Sequence, residues 1–87
     1  MNNKVILNLS ELYFYGIRKL KYGGVLHYFE EDGEECYALK NKGDLIACEG
    51  EEFEIESKTS EHVILVSTLT KNIVWLSIEE YNIGVGN

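Results

Sequence analysis

Two alternating stretches, VLHYF and CYALK, meet at EEDGEE, and this segment constrains the fold more than any other part of the chain. Asp-Gly accepts the positive φ angles that a type I′ turn requires at both central positions, and alternation is the period of a strand. A two-residue loop at Asp32-Gly33 leaves one register. Glu31 then faces Glu34, Glu30 faces Glu35, Phe29 faces Cys36, Tyr28 faces Tyr37 and Leu26 faces Leu39. Leu26, Tyr28, Tyr37 and Leu39 share one face.

The other turns extend this pattern. Asn41-Lys42-Gly43 reads as a three-residue loop with its glycine left-handed. It leads into LIAC, pairing Leu39 with Leu45 and Cys36 with Cys48. Gly50 interrupts the run, and FEIE follows as a short strand with Phe53 and Ile55 inward. The polar link SKTSE stands before a last hairpin, HVILVSTL and IVWLSI, turning around Thr70 to Asn72. That link could separate a three-stranded meander from the final hairpin, but each half alone is too small to be independent. Near the front, KVIL reads as a short strand.

Leu9, Leu12, Tyr13, Gly16, Ile17 and Leu20 recur with helical spacing, which predicts a helix within Ser10 to Leu20. Ser10 stands at the N-cap, Glu11 in the first turn, Lys19 and Lys21 near the far end, and Gly23-Gly24 stops it. Gly16 weakens this helix by about 1 kcal/mol against Ala. A strand is the rival reading, since Tyr13, Phe14 and Tyr15 are good strand formers. Ser77 and Glu80 have capping-box spacing, which predicts a final helical turn at EEYNI. Strand parity places Leu26, Leu39, Leu45, Phe53, Ile55, Leu65 and Leu76 in the core.

With 87 residues of which 45% are hydrophobic, the chain suffices for one domain over 1–87 around one small core. Charged residues at 26% are ordinary, so disorder is not expected. The N-terminus lacks the apolar run of a signal peptide, and no stretch approaches the roughly 20 apolar residues of a membrane span. A soluble cytoplasmic protein with no membrane partner is the expectation.

Catalytic and metal chemistry find little purchase. His27 and His62 are the only histidines, and neither stands near a nucleophile motif. Cys36 and Cys48 lack the close C-x-x-C spacing of a zinc site, so free thiols and no metal are expected. EEDGEE is too short to wrap calcium. The glycines make no phosphate loop. The expectation is a non-enzyme with no cofactor.

The acid is concentrated. Fifteen Asp and Glu against eight Lys and Arg give a net charge of −7. One run holds Glu30, Glu31, Asp32, Glu34 and Glu35; a second holds Glu49, Glu51, Glu52, Glu54 and Glu56. A folded surface of this charge repels nucleic acid and attracts basic protein grooves. The plainer reading is a solvated hairpin edge that discourages aggregation. Like charge directly opposite like charge costs stability, which favours a use for it. The basic cluster Arg18, Lys19 and Lys21 is too small to argue for nucleic-acid binding.

The segment KYGGVLHYFEEDGEECYALKNKGDLIACEGEEFEI carries a Tyr-bearing strand, an acidic Asp-Gly hairpin, a strand ending in N-x-G and a closing F-E-I strand. It resembles the small SH3-like barrels of short phage and prophage proteins. LSIEEYNI resembles the endings of similar phage proteins, and the likeness spans about Leu20 to Ile83. It implies an accessory gene of a mobile element; such small acidic proteins include anti-CRISPR inhibitors and others that sequester nucleotide signals of host immunity. No functional residue transfers by motif.

The expected fold is therefore α+β and mostly antiparallel: a small, partly closed SH3-like barrel with one N-terminal helix. The expected function is a phage-encoded, non-enzymatic inhibitor of a host defence protein. It would occupy a basic nucleic-acid groove through Glu30, Glu31, Asp32, Glu34 and Glu35, supported by Glu49, Glu51, Glu52 and Glu54. One alternative is an oligomeric sponge for a nucleotide second messenger, using Arg18, Lys19 and Lys21 beside tyrosines. Another is a generic small phage interaction module. Oligomeric state is left open by the sequence.

Overall fold

Asp32 and Gly33 adopt φ of 54° and 80°, and the chain turns there as the sequence predicts. In the computed structural model, which describes residues 3–85, β2 (Val25–Glu31) and β3 (Glu34–Asn41) pair from Glu31↔Glu34 back to Val25↔Lys40. Every pairing expected from the Asp-Gly loop is present, from Glu30↔Glu35 to Leu26↔Leu39. Residues 1–2 and 86–87 of the expected domain lie outside the described residues.

The next turn differs from expectation. Lys42 and Gly43, with φ of 53° and 87°, form a two-residue loop, so Asn41 pairs with Asp44 at the start of β4 (Asp44–Cys48). Lys40 then opposes Leu45, and a bulge shifts the ladder so that Leu39 meets Ala47 and Ala38 meets Cys48. The pairings Leu39–Leu45 and Cys36–Cys48 are thereby overturned. Leu45, expected in the core, is 53% exposed, and Ala47 takes the inward position at 1%. One residue of register moves a whole strand's side chains to the other face.

Among the described residues, seven strands form two separate antiparallel sheets. One has the order β2-β3-β4; the other has the order β1-β5-β6-β7, built from β1 (Lys4–Leu7), β5 (Glu51–Lys58), β6 (His62–Ser67) and β7 (Ile73–Ser77). No ladder joins them among the described residues, so the expected closure into a barrel does not occur. The break falls at Gly50, whose φ of 76° turns the chain between sheets. The link at Ser57 to Glu61 divides nothing: β5 and β6 pair across it, and the Thr59 hydroxyl accepts from the Glu61 and His62 amides.

The helix α1 spans Leu9–Tyr15 and is shorter than the stripe predicts. Its N-cap is Asn8, not Ser10, and the Asn8 side chain makes no capping hydrogen bond. Gly16, read as an interior residue, ends the helix at φ 113°. The Gly16 amide donates to the Tyr13 carbonyl and the Ile17 amide to the Leu12 carbonyl, the Schellman pattern of a glycine stop. Ile17 and Leu20 still pack on the core, from irregular chain, which is why the stripe ran on. The final turn expected at EEYNI is a second full helix, α2 (Ile78–Gly84), which opens on the predicted capping box of Ser77 and Glu80. A Cβ on Gly84 would stand 3.0 Å from Leu12, so glycine lets the two helices meet.

Leu7, Leu9, Leu12, Leu26, Leu39, Phe53, Val63, Leu65 and Leu76 belong to one buried cluster fed by both sheets and both helices. Ile55 is only partly buried, beside the β5–β6 bulge.

Candidate functional site

The tip of the β2–β3 hairpin gathers the first acidic run. Glu30, Glu31, Asp32, Glu34 and Glu35 are all exposed, and the two glutamate pairs stand directly opposite each other. Cross-strand partners have Cβ atoms about 5 Å apart, so these carboxylates repel. Among the described residues, their one side-chain hydrogen bond is from the Tyr28 hydroxyl to Glu30 at 3.2 Å. Tyr28 reports the local field: desolvation against its neighbours, then the charges of Glu30 and Glu35, push its phenol up to about 12. Tyr37 is raised for the same reasons, by desolvation first and then by Glu35 and Glu49. Behind the tip, Tyr13 packs within 5.9 Å of Tyr28 and 5.5 Å of Tyr37, and Phe14 stacks edge-on to Tyr37. This aromatic layer fixes the hairpin against α1.

The second acidic run does not form a matching patch. Glu49 accepts from the Ser10 amide at 3.1 Å and from the Ser10 hydroxyl, tying the first turn of α1 to the β4–β5 connection. Glu51 accepts from the Cys48 amide at 2.9 Å and from the hydroxyl of buried Ser67. Glu52 accepts from the Thr68 hydroxyl at 3.0 Å. Glu54 lies outward on β5 opposite Lys4 and Val66. The structure thus brings together the five tip residues, sets Glu49 near Glu35 beside Tyr37, and distributes Glu51, Glu52 and Glu54 elsewhere.

The basic cluster is dispersed too. Arg18 lies 3.4 Å over the Tyr13 ring and donates to the Tyr13 and Ile17 carbonyls at 2.7 and 3.2 Å. Lys19 bridges Val25 through the backbone. The Lys21 ammonium sits 5.6 Å over Tyr22, and its backbone amide donates to Glu80 at 2.9 Å. Glu80 is buried and accepts from Ser77 as well, so it joins α2 to this segment. The hollow beside Lys21 and Tyr22 is also lined by Glu61 and Glu79, whose charge opposes a phosphate.

Cys36 and Cys48 are free thiols. They are not opposed, yet both line one open hollow of about 590 Å3 on the outward face of the β2-β3-β4 sheet. Phe29 and Leu45 border it, and Glu31, Glu35 and Glu49 stand around it. Sequence reasoning missed this hollow. Its signal was VLHYF, apolar at both parities, which gives β2 two apolar faces. His27 is exposed on β2, and His62 lies in a stack with Tyr22 and Trp75 at 6.1 and 5.1 Å. Among the described residues, no group of three or more His, Cys, Asp or Glu side chains is placed to hold a metal ion. No helix there is long and apolar enough to cross a membrane.

Comparison with protein-family models, with curated proteins and with solved structures finds no match, so the site stands on its own geometry.

Proposed function

We propose that this protein is a non-enzymatic binding module that presents the β2–β3 hairpin to a basic surface of another protein. The observation that carries the reading is the tip itself: five exposed acids at and beside a two-residue turn, with like charges face to face. Such pairs lower hairpin stability, and an adjacent cationic surface would offset that cost. In its sharper form the partner is a host defence protein and the tip occupies its nucleic-acid groove, as an anti-CRISPR inhibitor of phage origin does. The SH3-like likeness belongs to the same proposal and rests on turn chemistry and short antiparallel strands. A location in the host cytoplasm goes with that proposal. The nucleotide-sponge reading has less support, because Arg18 is engaged by Tyr13 and two backbone carbonyls.

The test is an interference assay in cells carrying an RNA-guided nuclease, with and without this chain. The protein should restore plating of a targeted phage, and Glu30, Glu31, Glu34 and Glu35 changed together to Lys should abolish it. Competition with DNA for the purified nuclease should weaken as salt rises, since exposed charges are screened beyond roughly 8 to 10 Å at physiological ionic strength. Equal activity of the reversed variant would remove the acidic tip from the mechanism.

A further inference from the structure

Ala38 lies mid-strand on β3 and is only 4% exposed, because larger residues of its own face surround it. Phe29 comes from β2 and Leu45 from β4, and they stay 44% and 53% exposed beside it. A small residue among large ones makes a socket in a sheet face, and here the socket is the 590 Å3 hollow. The outward setting of Leu45 follows from the two-residue Lys42-Gly43 turn and the bulge after Leu39. Exposed apolar side chains around a concave surface are the usual mark of a contact site.

The charge around the socket narrows its occupant. Glu31, Glu35 and Glu49 face one cation, Lys40. A second copy would set three carboxylates against three, on chains each carrying −7. Nucleic acid is repelled by the same groups. A basic peptide is attracted, and its apolar side chain finds the socket.

We infer that the outward face of the β2-β3-β4 sheet takes one bulky apolar side chain from a Lys- or Arg-rich segment of a partner protein. The flanking cations rest on Glu31 and Glu35, and Glu49, held by Ser10, adds its charge at the rim. This rests on the protein-binding reading above and adds the chemistry of the segment recognised: an apolar anchor within a cationic stretch. Anchors that fill a pocket carry most of the energy of such contacts, while the surrounding charges set rate and orientation.

The test titrates the isotope-labelled chain with a synthetic peptide holding one Trp among Arg and Lys. One control replaces the Trp by Gly, and the other replaces the cations by Ser. The full peptide should perturb the amides of Cys36, Ala38 and Cys48 and bind about ten-fold or more tighter than either control. Phe29→Ser with Leu45→Ser should erase the preference for Trp while the remaining spectrum shows an intact fold. Glu30→Lys with Glu34→Lys, which lie off the socket, should weaken the full peptide and the Gly control alike. If the Gly control binds as tightly as the Trp peptide, the socket is overturned and the acidic hairpin survives. If the Glu30/Glu34 variant binds normally while the Phe29/Leu45 variant does not, the hairpin reading falls and the socket stands. Perturbations elsewhere, or self-association through this face, overturn the inference.

Discussion

The two acidic runs hold five acids each and do opposite things. The first, at the β2–β3 tip, spends its carboxylates on solvent and on each other. The second, from Glu49 to Glu56, spends several on the chain. Glu51 alone joins two turns: one oxygen takes the Cys48 amide at the β4–β5 corner, the other the hydroxyl of Ser67. Ser67 in turn accepts from the Leu69 and Thr70 amides of the β6–β7 turn at 3.2 and 3.1 Å. Charge density along a sequence is therefore a poor guide to charge density on a surface. What distinguishes the runs is whether unpaired backbone donors lie within reach, as they do at corners and helix starts.

The contrast can be broken by mutation. The largest effect should come from the base of the β2–β3 hairpin: Leu39→Ala, at a site 2% exposed, should cost about 2 to 5 kcal/mol in denaturant unfolding. A cost under about 1 kcal/mol would mean that the β2–β3 sheet is not anchored as described. Next is Glu51→Ala, which strands the Cys48 amide and the Ser67 hydroxyl and should cost about 1 to 3 kcal/mol. Glu49→Ala should cost less, about 0.5 to 1.5 kcal/mol, because Ser10 retains access to water. By contrast, Glu30→Lys with Glu34→Lys should change stability by no more than about 0.5 kcal/mol, in the stabilising direction, since one partner of each facing pair changes sign. Loss of stability there equal to that of Glu51→Ala would erase the distinction between the runs.

The smallest effect is the most specific. Tyr28 should ionise well above an ordinary tyrosine in an ultraviolet phenolate titration, at about 12. Glu30→Gln with Glu35→Gln should bring it down, while Glu52→Gln should not. The folded state holds this proton more tightly than the unfolded chain, whose tyrosines ionise near pH 10. Tyr28's contribution is thus whole below pH 10 and is lost between about pH 10 and 12 as the pH rises. A Tyr28 titration unmoved by the double change would show that the tip carries no concentrated field.

Elements encoded by short local rules were legible in the sequence. Asp32-Gly33 fixed seven cross-strand pairs because a type I′ turn has one register. Ser77 and Glu80 announced α2 because a capping box needs only four consecutive residues. Elements that depend on a choice between near-equal local solutions were not. Asn41-Lys42-Gly43 suits loops of two or three residues, and the alternative taken sent Leu45 outward and created the socket. Gly16 suits a weak helix interior or a left-handed stop, and tertiary packing of Ile17 selected the stop. The scattered roles of Glu49 and Glu51 depend on Ser10 and Ser67, partners distant in sequence that no spacing rule identifies.

The order in which the strands join has a consequence for how the chain acquires its shape. The β2-β3-β4 sheet closes through two successive two-residue turns, so its pairings are close neighbours along the chain and can form early. The other sheet cannot be finished that way. Its first strand, β1, must wait for β5, which follows the whole of the first sheet. During synthesis, Val5 and Leu7 leave the ribosome long before Phe53 and Glu51 exist to receive them. Until then an apolar strand stands unpaired, at risk of joining another chain. The acidic hairpin emerges between β1 and β5. Its repulsion would keep nascent neighbours apart during that interval.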